Sequence, residues 1–197
     1  PLGGNASAGG DPLTATTPNT LSVPNIAVPD ASVFDVSGTD YIKVDNLPSI
    51  EPAKNLTVSV WVNWKSGSNT YSYAINKYYD GNGGSYAITR VNQPRFYIYT
   101  STGIVVSPIA SSINLTDTGW HHLVGTYDGS YVRFYVDGDE IGNGTAETGD
   151  IIYNTENLFI GAYSSSGNLS PNGEQSNAQI WNTALSGPEI ETLYNSG

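Results

Sequence analysis

Residues 56–64 read Leu-Thr-Val-Ser-Val-Trp-Val-Asn-Trp, which sets Leu56, Val58, Val60, Val62 and Trp64 on one face of an extended chain. Strict period two is the mark of a half-buried strand. The same alternation returns at 95–99, where Phe96 and Ile98 oppose Tyr97 and Tyr99. It returns again at 131–136, where Val132, Phe134 and Val136 oppose Tyr131, Arg133 and Tyr135. Between such runs lie Asp80-Gly81-Asn82-Gly83-Gly84, Asp128-Gly129, Asp137-Gly138 and Asn143-Gly144. Asp-Gly and Asn-Gly supply the positive φ that tight hairpins need. One helix is predicted, at the C-terminus. Ser186-Gly187-Pro188-Glu189 has the form of a capping box, and Ile190, Leu193 and Tyr194 follow at helical spacing. About ten to fourteen strands with one terminal helix predict an all-β fold, a two-sheet antiparallel sandwich or jelly roll.

Residues 1–30 break this pattern. They hold Pro1, Pro12, Pro18, Pro24 and Pro29 and no aromatic residue. Proline fixes φ and removes a donor, so a linker or an extended arm is expected there, followed by one domain over 31–197.

Composition narrows the function. Seven Lys and Arg against 18 Asp and Glu give a net charge of −11, with a pI near 4.2. Binding nucleic acid requires a basic stripe, and docking on anionic membranes requires basic clusters; neither partner is expected. No apolar run approaches the roughly 18 residues of a membrane-inserted helix. The chain has no cysteine, which removes disulfides, thiolate catalysis and thiolate metal sites. It starts at Pro1 and contains no methionine, so a processed form or a piece of a longer protein is expected.

Six segments, in order, resemble the laminin-G-like jelly rolls of the concanavalin A-like lectin/glucanase superfamily. They are Ala31–Asp35 with Asp40–Val44, then Asn55–Asn63, Trp120–Gly129, Val132–Gly138, Asn157–Gly161, and Ile180–Ser186 with Glu189, Ile190, Leu193 and Tyr194. The likeness implies a two-sheet antiparallel jelly-roll sandwich with a short C-terminal helix. That fold hosts lectins, hydrolases, adhesion modules and scaffold parts, so it leaves function open. The closing segment and residues 19–25 are also similar to laminin-G-like domains of marine phage and marine bacterial surface proteins. This resemblance implies an extracellular, cell-surface or virion location.

The candidate chemistry is recognition. Sugar rings have apolar faces and polar rims, which suit aromatic platforms with Asn, Asp or Arg nearby. The chain carries 14 tyrosines. Tyr97, Tyr99, Tyr131, Arg133 and Tyr135 oppose the apolar faces of their strands, and would form one aromatic stripe if those strands are neighbours. The loop with Tyr78, Tyr79 and Asp80 is a second candidate. The bland alternative is that these rings fill the interior. A glycan or cell-surface polysaccharide is the expected partner, with neighbouring subunits of a surface or virion assembly as the alternative. Catalysis is not expected. The paired-carboxylate strand motif of this fold's glycosidases is absent, and Asp137–Glu140 and Glu147–Asp150 read as solvated hairpin ends. A hydrolase or lyase is the remaining, weaker alternative. His121 and His122 point to opposite faces of one strand and cannot share a metal; one buried and one surface imidazole are expected. The resemblance also implies a structural calcium, held by a carboxylate four residues before the aromatic of the closing strand. Asn177 occupies that position here, which weakens the expectation; Asp35, Asp40 and Glu174 are the acids left to support it.

Overall fold

The computed structural model describes residues 41–65, 71–77, 84–116, 119–164 and 169–197, with the backbone of 32–34. Thirteen strands, one α-helix and one 3-10 turn (Pro48–Ile50) lie among the described residues. The strands are β1 (Ser32–Phe34), β2 (Ile42–Val44), β3 (Leu56–Trp64), β4 (Tyr71–Asn76), β5 (Tyr86–Val91), β6 (Gln93–Thr100) and β7 (Gly103–Val106). They continue with β8 (His121–Tyr127), β9 (Tyr131–Val136), β10 (Asp139–Glu140), β11 (Thr145–Ala146), β12 (Leu158–Ile160) and β13 (Gly173–Trp181); helix α1 is Gly187–Asn195. The expected arm at 1–30 lies outside the described residues.

Two antiparallel sheets stack face to face, as the alternation predicted. The seven-stranded sheet runs β1-β13-β3-β8-β9-β10, with β11 also on β9; the six-stranded sheet runs β2-β12-β4-β5-β6-β7. Chain-distant strands such as β3, β8 and β13 lie side by side, which is the jelly-roll crossover. Period two then decides the interior. Leu56, Val58, Val60, Val62 and Trp64 meet Phe96, Ile98, Tyr86 and Ile88 from the facing sheet in one continuous core. The layers close tightly at Gly125 on β8, where a Cβ would stand 2.3 Å from the Phe96 ring. Any side chain there must push the sheets apart or break the ring's packing.

Buried polar groups are held individually. The phenols of Tyr86, Tyr127 and Tyr153 donate to the carbonyls of Ile50 (2.9 Å), Gly149 (2.5 Å) and Pro52 (2.7 Å). These tyrosines serve the core, as the bland alternative expected of some. Glu147 departs from the expectation of a solvated hairpin end. Its carboxylate is buried and accepts from the Thr100 and Thr102 hydroxyls and the Thr148 and Gly149 N–H groups. Burial opposes its ionisation, but those bonds win and hold its pKa below the usual range. Its work is to tie the turn after β6 to the segment after β11.

The β9–β10 hairpin turns through Asp137 and Gly138, both at positive φ, as the Asp-Gly pair predicts. Helix α1 starts as read from sequence, with Glu189 Oε2 accepting from both the Ser186 N–H and hydroxyl at 2.7 Å. The helix lies on the outer face of the seven-stranded sheet. There Ile190, Leu193 and Leu185 join Val124, Tyr135 and Trp181 in a second hydrophobic cluster.

Candidate functional site

The proposed stripe is divided between the two sheets. Tyr97 and Tyr99 are on β6 of the six-stranded sheet, whereas Tyr131, Arg133 and Tyr135 are on β9 of the seven-stranded one. Both sets point outward, so they look away from each other across the sandwich. The five residues cannot form one surface; periodicity gave the correct side of each strand but not its neighbours.

The β9 group is closed off in two ways. Tyr135 is 4% exposed, sealed in the cluster under α1. Its phenol pKa is raised, chiefly by burial. Arg133 is engaged on three sides. Its Nη1 donates to Asp128 Oδ2 at 2.5 Å, its Nε stands 3.3 Å from Glu140 Oε1, and its guanidinium lies over the Tyr131 ring at 4.7 Å. Burial works against its charge, but the Asp128 bond outweighs this and raises its pKa. Tyr131, 41% exposed, is the one of the three that meets solvent broadly.

The β6 group stands in different company. Tyr97 is opposite Ala87 of β5 on one side and Val106 of β7 on the other. One step along, Thr89 of β5 is flanked by Tyr73 of β4 and Arg95 of β6. The Tyr163 ring lies 5.0 Å from that of Tyr73, and Tyr41 sets its edge on Phe159 at 5.6 Å. Phe159 is in register with Lys43 of β2 and Asn76 of β4, and Asn76 donates to the Tyr163 carbonyl at 2.6 Å. Tyr71, 48% exposed, extends the row at the start of β4. Among the described residues no helix covers this face. It presents Tyr71, Tyr73, Tyr97, Tyr99, Tyr163 and Tyr41 on one sheet surface, above small, buried Ala87 and Thr89. Sequence reading found Tyr97 and Tyr99 and missed the others. The alternation Tyr71-Ser72-Tyr73, with Ser72 buried between, was the available signal for two of them.

Tyr78, Tyr79 and Asp80 lie outside the described residues. The base of their loop is fixed by Lys77, which is fully buried. Its ammonium donates to Asn46 Oδ1 at 2.6 Å and the Glu156 carbonyl at 3.0 Å, and pairs with Glu51 at 3.0 Å. Burial lowers its pKa, against the pull of Glu51 and Glu156. This lysine is structural and offers nothing to a ligand.

The two histidines divide as expected. His121 Nδ1 pairs with Asp137 Oδ2 at 2.8 Å near the surface. His122, 1% exposed, stacks on Trp61 at 4.9 Å, and Trp61 stacks in turn on Tyr194 of α1 at 5.7 Å. Its Nε2 is 2.7 Å from Ser59 Oγ. Burial lowers its pKa to about 4, with the Asp137 charge opposing. This Ser–His pair resembles part of a catalytic triad, but Nδ1 has no hydrogen-bond partner and both side chains are buried.

Of the calcium candidates, the two that are described, Glu174 and Asn177, are engaged with neighbouring side chains. Glu174 Oε2 accepts from Asn63 at 3.1 Å, and Asn177 Oδ1 accepts from Gln179 at 2.6 Å. Asn177 sits at positive φ, where the β13 register shifts between Ser176 and Gln179. Asp35 and Asp40 lie outside the described residues, among which no three acidic or histidine side chains converge on one point. Calcium needs six to eight oxygens, and the described donors do not supply them.

Residues 36–191 match a laminin-G-type family model of the concanavalin A-like lectin/glucanases superfamily. The chain belongs to that superfamily. Among solved structures it is similar to domain 4 of AbnA, a GH43 extracellular arabinanase from Geobacillus stearothermophilus solved with arabinotriose. The TM-score is 0.64 at 15% identity, covering 86% of this chain and 79% of that one. It is also similar to the botulinum neurotoxin serotype D ligand binding domain in complex with N-acetylneuraminic acid. There the TM-score is 0.59 at 16% identity, over 79% of this chain and 40% of that one. No curated protein matches by sequence. At such identities the likeness establishes the shared sandwich, and the superfamily contains both binding modules and enzymes.

Proposed function

We propose that this chain is a non-catalytic carbohydrate-recognition module that binds glycan on the outer face of its six-stranded sheet. The carrying observation is the gathering of Tyr97, Tyr99, Tyr71, Tyr73 and Tyr163 on one sheet surface that no described helix covers. Rings held on a rigid sheet offer apolar faces to sugar C–H groups at little entropic cost, and their hydroxyls hydrogen-bond at the rim. Similar structures solved with arabinotriose and N-acetylneuraminic acid support the ligand class. An extracellular, cell-surface or virion setting fits such a ligand.

Absence of catalysis is part of this reading. The buried Ser59–His122 pair is out of substrate reach, and the Glu147 carboxylate is occupied by four donors. A glycosidase needs two carboxylates flanking one bond; incubation with polysaccharide is expected to release no shorter products.

A second reading, a structural subunit without a sugar site, draws on Ile104 and Ile152. Both are exposed and both adjoin Tyr99, Ile104 as its partner on β7 and Ile152 through its N–H to the Tyr99 carbonyl. A glycan array separates the two. Binding that is lost in a folded Tyr97→Ala variant supports recognition. An array without signal, together with self-association abolished by Ile104→Asp, supports assembly.

A further inference from the structure

We infer that Lys77 and Asn46 join covalently. The Lys77 amine displaces ammonia from the Asn46 carboxamide, with Glu51 carrying the proton, and leaves an amide between the two side chains. This goes beyond glycan recognition and does not depend on it.

The geometry carries the inference. Lys77 directly follows β4, and its side chain is fully buried. Its Nζ stands 2.6 Å from Asn46 Oδ1 and 3.0 Å from Glu51 Oε1. The Asn46 carbonyl carbon is one bond beyond that oxygen, and reacting atoms held about 3–3.5 Å apart are close to attack. Glu51 Oε1 is itself buried. The Glu156 carbonyl, 3.0 Å from Nζ, holds the nitrogen in place, and the Tyr153 ring walls it at 5.7 Å. A nucleophile, an electrophile and a proton carrier therefore meet in a site closed to water.

The chemistry balances without a co-reactant. Burial lowers the Lys77 pKa, and an amine that has given its proton to Glu51 is a nucleophile. The Nζ lone pair attacks Asn46 Cγ. Glu51 delivers the first proton to Nδ2, the Cγ–Nδ2 bond breaks, and ammonia leaves. Glu51 then takes the second proton from Nζ and passes it to the departing ammonia, which reaches solvent as ammonium. The oxygen stays on Cγ, and nothing is oxidised or reduced. The new bond ties the end of β2 to the end of β4 across β12. In a chain without cysteine it acts as a disulfide would, by taking freedom from the unfolded state.

The test is the intact mass of the denatured whole chain after prolonged incubation at neutral pH, followed by tryptic mapping. The expected mass is one ammonia below that of the sequence. Trypsin should give a branched fragment joining residues 44–54 to residues 66–90, uncut after Lys77. Asn46→Ala and Glu51→Gln, each checked for fold by circular dichroism, should keep their full mass and be cut after Lys77. A wild-type chain of full mass, with fragment 44–54 separate, overturns the proposal and leaves Lys77 a buried ammonium; that result needs no variant to fold. An ammonia-deficient chain without the branched fragment also overturns it, because the loss then lies elsewhere, as an imide at an Asn-Gly pair would give. A crosslink retained in Glu51→Gln overturns the role of Glu51.

Discussion

The two outer faces of this sandwich are built by one rule and end differently. On β6 and β9, period two sends Phe96, Ile98, Val132, Phe134 and Val136 inward and Tyr97, Tyr99, Tyr131 and Tyr135 outward. On the seven-stranded sheet, α1 then lands on the outward residues, and Tyr135, Trp181 and Val124 become a second core. On the six-stranded sheet no described helix lands, and Tyr97 and Tyr99 remain half exposed. A tyrosine opposite an apolar strand face is thus neither interior nor ligand-binding by virtue of its position. What packs above it decides.

The sharpest way to break this contrast is to make the same substitution on both faces. Tyr135→Ala removes a ring from a closed cluster and is expected to cost about 3–5 kcal/mol. Tyr97→Ala should cost under about 1 kcal/mol. Chemical denaturation of the two variants measures both, and similar losses would mean the faces are equally packed.

A pH titration sharpens the covered side next. The unfolded chain takes up the His122 proton near pH 6.5 and the folded one only near pH 4. Stability is therefore full above about pH 6.5 and falls as pH drops toward 4, by about 3 kcal/mol in all. His122→Gln should remove that part of the pH dependence. An unchanged profile would show that the Trp61 and Tyr194 rings do not seal the imidazole.

Binding gives the next smaller effect, on the open side. Tyr97→Ala and Tyr99→Ala are each expected to weaken glycan binding about tenfold, or roughly 1.4 kcal/mol, with melting temperature nearly unchanged. The smallest effect is expected at Arg133→Ala. Its ion pairs are partly solvated and contribute about 1 kcal/mol or less, and glycan affinity should not move.

Most of the fold was legible from the chain. Alternation over 56–64, 95–99 and 131–136 named the inward residues of β3, β6 and β9, and Ser186 with Glu189 marked the start of the helix. Two of the six tyrosines of the candidate surface were legible. Tyr97 and Tyr99 could be read as outward-facing because that depends only on local period. Their separation from Tyr131 and Tyr135 could not, because strand neighbours in a jelly roll are set by crossovers between distant segments. The sealing of Tyr135 was equally hidden, since it depends on where a helix some fifty residues later comes to rest. Glu147 was misread for a related reason: its four donors come from two segments, one of which lies more than forty residues upstream.

The burial of Lys77 bears on how the protein can be attached to a solid support. Amine-reactive coupling needs an accessible amino group, so of the four lysines it would spare Lys77 and fall on Lys43, Lys54 and Lys65. Acylation of Lys43 would graft the resin onto the rim of the tyrosine surface and screen it from polymers in solution. Because the chain has no native thiol, a single cysteine in place of exposed Thr192 on α1 would give one attachment point on the opposite side. Beads loaded in that way would all hold the rings toward the solution.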